Sequence, residues 1–115
     1  MKKSSLVENI EYKENRPAIN VLFESDTSKE IRIVFRKGQV MAEHKTSYPI
    51  SVEIFEGEIE FGVKGEKLVL VRGDLVALDA NVPHDLLANA DSIVRLTLAK
   101  GDLVQRVVSV AKGEK

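Results

Sequence analysis

The sequence predicts an all-β domain, a sandwich or small barrel of short antiparallel strands. Three observations predict it. Val occurs 15 times and Ile 8 times, while Trp and Cys are absent, a weighting toward side chains that pack well on a pleated surface. Apolar and polar residues alternate with period two in several runs. Ile31, Ile33 and Phe35 share one face, with Arg32 and Arg36 on the other. Ile59, Phe61 and Val63 oppose Glu58 and Glu60, and Val94, Leu96 and Leu98 oppose Arg95 and Thr97. Such alternation marks half-buried strands. Turn chemistry recurs between the runs, at Lys37-Gly38, Glu56-Gly57, Lys64-Gly65-Glu66, Arg72-Gly73-Asp74, Asn81 and Asn89-Ala90-Asp91.

The elements follow in order. Ser5 with Glu8 three residues later has capping-box spacing, and Leu6, Val7 and Ile10 follow, so a short helix is expected over 5–12, ended by Pro17. Strands are expected at 19–24, 30–36, 39–46, 50–56, 58–63, 67–71, 75–78, 82–88 and 92–98. In the tail, Leu103, Val104, Val107, Val108 and Ala111 stand at helical spacing, yet the segment is β-branched, so helix and strand both remain open over 102–111.

A chain of 115 residues makes one domain, 1–115. Hydrophobic residues at 43% and charged residues at 30% exclude a disordered or collagen-like chain. Lys plus Arg is 17 against 18 for Asp plus Glu, so the basic surplus of a phosphate-neutralising protein is missing and no nucleic-acid partner is expected. No apolar run approaches the roughly 18 residues of a membrane span, so no membrane partner is expected. The start, Met-Lys-Lys-Ser-Ser-Leu-Val-Glu, lacks the apolar stretch of a signal peptide, and the expected location is cytoplasmic. Zero cysteines exclude disulfides, thiol catalysis and thiolate metal sites. There is no G-x-S-x-G elbow and no glycine-rich phosphate loop. Glu53, Glu56, Glu58 and Glu60 read as a solvated hairpin face.

The chemistry therefore rests on two histidines, His44 and His84. By strand parity His44 shares a face with Val40, Ala42 and Thr46, and His84 with Val82, Leu86 and Ala88. Both faces are apolar, which points both imidazoles inward. A satisfied interior histidine is the plain reading of each alone; two on inward faces suggest a shared pocket.

These residues stand in a frame that resembles the cupin superfamily. Its first motif is a glycine, five residues, His-x-His, three or four residues, Glu or Gln, six residues and a glycine. The chain has Gly38, five residues, His44-Lys45-Thr46, three residues, Ile50, six residues and Gly57. Its second motif is a glycine, five residues, Pro-x-Gly, two residues, His, three residues and Asn. Here it reads Gly73, five residues, Asp79-Ala80-Asn81, Val82-Pro83, His84, three residues and Ala88. The resemblance spans about residues 30–99, with extensions at 1–18 and 101–115. It implies a double-stranded β-helix, the jelly-roll barrel.

The resemblance also implies a metal site of three histidines and one acid, and this chain departs from it. Thr46 replaces the second histidine and Ile50 replaces the acid, leaving His44 and His84. Two imidazoles without a third strong ligand seldom hold zinc or iron. No cofactor is therefore expected; a divalent transition metal, were one to bind, would use His44 and His84. By the motif frame Ile50, Val52 and Ile54 line the barrel with Phe61 and Leu86, giving an apolar pocket whose polar groups are His44, Thr46 and His84. Such a pocket suits a small organic ligand. The alternative is a small cupin enzyme, an isomerase, epimerase or dioxygenase-like activity; no residue is assigned a catalytic role. The resemblance implies a homodimer, and Phe55, Val34 and the Val-rich tail are the apolar groups that need cover.

Overall fold

The computed structural model describes residues 1–113. The strands are β1 (Ala18–Glu24), β2 (Ser28–Phe35), β3 (Val40–His44), β4 (Ile50–Glu56), β5 (Glu58–Val63), β6 (Glu66–Val71), β7 (Leu75–Leu78), β8 (His84–Ala88) and β9 (Ser92–Ala99), followed by one helix, α1 (Val104–Ala111). Each lies within about two residues of the span its alternation predicts, because the period-two pattern and the glycine turns agree on where each strand stops.

The strands form two antiparallel sheets, one ordered β1-β2-β9-β4-β7 and the other β3-β8-β5-β6. From β2 to β9 the chain winds back and forth between the sheets, broken only by the β5–β6 hairpin. Their inner faces meet in one core, with Ile31, Ile33, Phe35, Ile54, Val94 and Leu98 from the first sheet and Met41, Ile59, Phe61 and Leu86 from the second. This is the jelly-roll barrel expected.

Two expectations are corrected or decided here. The helix over 5–12 does not form. Its cap does: Ser5 Oγ accepts from the amides of Val7 and Glu8, both at 3.1 Å. The turn then stops at Asn9, which has φ of 54°. The carbonyls of Ser5, Glu8 and Asn9 accept instead from the Arg32 guanidinium, at 3.3, 2.8 and 3.3 Å. A charged donor outcompetes the local amides that would have continued the helix. The segment thus lies as a strap over the outer face of β2. Arg32 is only 4% exposed despite its outward parity, and Val34 is fully buried.

The tail is helical. One stripe, Val107, Val110 and Ala111, is buried, and α1 packs on β3 and β1 at one end of the barrel. The core there needs cover, and only the helical spacing puts the valines on one face. Val34 and the buried tail valines are therefore covered within the chain and leave no demand for a partner. Exposed apolar side chains cluster on β6 and β7, at Leu68, Val69, Val71 and Leu75, with Val21, Val40 and Leu103 exposed singly elsewhere. The acidic hairpin residues are paired: Glu53 with Arg95, Glu56 with Arg72, Glu60 with Lys67, and Glu58 with Asn89. Among the described residues, no helix is long and apolar enough to cross a membrane.

Gly57 turns the chain from β4 into β5 at φ of 90°, and a Cβ there would strike the Ser92 hydroxyl and the Asp91 carbonyl. Gly38 has nearly the same φ, 91°, but open space around it. Gly38→Ala is expected to carry backbone strain alone, about 1–2 kcal/mol. Gly57→Ala adds the collision and is expected to cost at least about 1 kcal/mol more. Urea midpoints of the two variants check the ordering.

Candidate functional site

β3 and β8 lie side by side, and the register sets His44 opposite His84. The pairing runs Val40 to Leu87 and Met41 to Leu86, then shifts before His44. That bulge corrects the parity reading of β3. Val40 is 53% exposed and Ala42 is exposed, while Met41 points into the core at 2%. The inserted residue returns His44 to the inner side, and Glu43 stays outside. On β8 the alternation holds, with His84, Leu86 and Ala88 all buried.

The two imidazole centroids are 4.2 Å apart at an angle of 59°, and the Phe61 ring stacks on His84 at 5.8 Å. Nδ1 of His44 bonds the Ala42 carbonyl at 2.8 Å, and Nδ1 of His84 bonds the Val82 carbonyl at 2.9 Å. A carbonyl only accepts, so Nδ1 carries the proton in each neutral ring. Each Nε2 is left as an acceptor.

The histidines open on a cavity of about 20 Å³, room for about one water. Ile50, Val52 and Leu86 line it with Met41, as does the Arg106 side chain from α1. Arg106 is held from behind by Asp102, with Nε on Oδ1 at 3.0 Å and Nη2 on Oδ2 at 2.8 Å. Asp102 is 4% exposed and also accepts from the Thr46 hydroxyl at 2.9 Å and the Leu103 amide at 2.9 Å.

Of the pocket residues expected from the sequence, His44, Ile50, Val52, His84 and Leu86 share this cavity. Thr46 does not line it; it is 3% exposed and committed to Asp102. Ile54 is sealed in the core away from the cavity wall. Phe61 backs His84 and faces a separate, open cleft of about 340 Å³ between the β6 and β7 edges. Arg106, Asp102 and Met41 were missed. Asp102 and Arg106 stand at a spacing suited to an ion pair along a helix, a signal present in the tail. Met41 was hidden by the bulge.

Burial holds the His44 imidazolium down, at about 4; the Ala42 carbonyl opposes the shift, His84 and Arg106 reinforce it, and Asp85 opposes it. His84 is lowered too, first by burial against its Val82 bond, then by Arg106 against Asp85. For Asp102 burial alone would raise the carboxyl, but bonds from Arg106, Thr46 and the Leu103 amide outweigh it and hold it below the usual range. The site at neutral pH is thus two neutral imidazoles facing one guanidinium.

The metal that the resemblance implies does not fit these residues. Thr46 and both Asp102 oxygens are already bonded, Ile50 offers only hydrocarbon, and a guanidinium faces the imidazoles. Among the described residues, no group of three or more His, Asp or Glu could hold a metal ion.

Comparison with known proteins agrees with the fold. The sequence profile of the cupin domain family matches residues 31–104. An RmlC-like cupin protein from Desulfovibrio desulfuricans superposes with a TM-score of 0.79 at 26% identity, over 86% of this chain and 96% of that one. A cupin superfamily protein from Desulfitobacterium hafniense gives 0.72 at 21% identity, over 78% of this chain and 83% of that one. An RmlC-like cupin from Shewanella frigidimarina gives 0.73 at 22%, over 86% and 91%. Among curated proteins, none matches the sequence.

Two outcomes are expected. The unfolded chain takes up protons on its histidines near 6.5, whereas folded His44 refuses one until about 4. Across that window the unfolded state binds more protons, so stability falls as pH drops from 6.5 toward 4. Urea melts should show this slope in the wild type and a shallower one in His44→Gln. Thr46→Val removes a hydroxyl donor from a buried carboxylate and is expected to cost about 1–3 kcal/mol, with faster amide exchange over 102–111 in hydrogen-exchange mass spectrometry.

Proposed function

This chain belongs to the cupin family, and on that footing we propose that it is a metal-independent binding module that takes up a small organic ligand at His44 and His84. The observation that carries this reading is the neutral imidazole pair, each Nε2 an open acceptor, in an apolar cavity where Arg106 stands in place of further metal ligands. Sparse polar groups converging in an apolar cavity suit ligand recognition. A histidine-based enzyme is the weaker reading. A general base works best near the operating pH, and burial holds His44 at about 4. We place the protein in the cytoplasm, in keeping with its lack of cysteine.

We further propose a homodimer through the β6–β7 edges, where Leu68, Val69, Val71 and Leu75 are exposed. Light scattering should give a mass near twice the 12.8 kDa of the chain, and Val69→Lys with Leu75→Lys should return it to the single-chain value.

Elemental analysis of protein purified from metal-replete cells is the direct test of the metal-independent reading. Iron, nickel, manganese and zinc are expected well below one per chain; near-stoichiometric metal overturns the proposal.

A further inference from the structure

We propose that the ligand is a small hydroxycarboxylate, its carboxylate anchored by Arg106 and its hydroxyl donating to one of the two histidines, and that α1 moves outward to admit it and then covers it. This rests on the binding-module reading and names the ligand class for the same site. The groups are ordered in space. Arg106 lines the cavity; Asp102 does not, and sits behind Arg106 against Thr46. The cavity wall therefore presents the guanidinium, while its counter-charge is turned away. Asp102 engages Nε and one N–H of Nη2. A guanidinium has five N–H donors in a planar fork, so the donors outside that pair remain to meet an oxyanion.

The histidines complete the selection. With Nδ1 committed to the Ala42 and Val82 carbonyls, both rings meet a ligand through Nε2 lone pairs. Acceptors of this kind take a hydroxyl and would repel a second carboxylate. Ile50, Val52 and Leu86 leave the rest of the wall apolar, which limits the ligand to a short carbon skeleton. Burial of both imidazoles and the field of Arg106 keep the rings in this accepting form.

The cover follows from volume. About 20 Å³ admits a water and no organic acid, and α1 supplies both Val107 and Arg106 to the enclosure. Entry thus requires α1 to lift. The helix has no side-chain cap on its first turn and no acidic residue there. Its start is tied to the barrel through the Asp102–Thr46 bond and the Lys29 bond to the Asp102 carbonyl, at 2.9 and 2.6 Å. A bound carboxylate adds a second tie, through Arg106, and orders α1 in a position displaced outward from the one it holds over the empty cavity.

The test uses the full-length protein, with glycolate and lactate as probes and glycolamide as the neutral analogue. The two imidazoles are followed by ¹⁵N NMR and α1 by hydrogen exchange. Glycolate or lactate is expected to shift both ring signals saturably and to slow exchange over 102–111, with glycolamide weaker by about tenfold or more. Arg106→Gln alone orphans a buried carboxylate, so the decisive variant is Asp102→Asn with Arg106→Gln, which removes both charges. It is expected to lose at least about tenfold in glycolate affinity, whereas Arg72→Gln on the β6–β7 turn keeps it. Equal binding of glycolate and glycolamide, or unchanged affinity in the double variant, overturns the Arg106 anchor and leaves the binding module standing. Silence from all three probes overturns the hydroxycarboxylate assignment. Stoichiometric metal on the histidines overturns the binding module as well.

Discussion

Asp102 is a carboxylate with 4% exposure, and the architecture of one end of the barrel follows from satisfying it. Sealing a charge from water costs several kcal/mol unless donors replace the lost hydration. Four donated bonds do so here, two from Arg106, one from Thr46 and one from the Leu103 amide. Meeting them requires residues 102–106 to turn back over the barrel, which starts α1 at Val104 and seats Val107 and Val110 on the core. Thr46 occupies the motif position where a metal-binding relative carries histidine. The Thr46 hydroxyl serves a carboxylate, and the cation that this carboxylate holds is an arginine on a helix.

The histidine pair depends on a second constraint, the bulge in β3. A regular strand carrying Met41 inward would turn His44 outward, since successive side chains alternate. One inserted residue lets Met41 and His44 share the inner side, so that His44 meets His84 in register. Both rings then bond the carbonyl two residues back along the chain. That local bond fixes the tautomer before any ligand arrives, while burial keeps the pair neutral against the pull of the carbonyls.

On the opposite side, β2 of the first sheet is covered on both faces from Glu30 to Phe35, unusual for a half-buried strand. Glu30, at 6% exposure, accepts from Arg95 at 2.9 Å and Thr97 at 2.7 Å, and Arg32 draws the N-terminal strap across β2. Polar side chains of outward parity are buried here without orphaned groups, because each has a partner across strands or in the strap.

Local pattern was enough for the strands and their order of appearance. Alternation in β2, β5 and β9 and glycine turns such as Gly57 are encoded by neighbours in sequence, so they can be read without the fold. The motif frame around His44 and His84 likewise placed both in one interior, together with Ile50, Val52 and Leu86. What could not be read locally depends on partners far along the chain. Ser5 and Glu8 signal a helix, but Arg32, over twenty residues away, takes the carbonyls that the helix needs. The tail is ambiguous between helix and strand until the open barrel end selects the conformation with one apolar stripe. Thr46 looks like a pocket residue until Asp102, 56 positions later, claims its hydroxyl. The sequence by itself determined a jelly-roll barrel with two interior histidines, because strand patterning is local. Only the tertiary structure decided that an arginine faces them, because that placement requires the tail to fold back over the barrel and bury its own carboxylate.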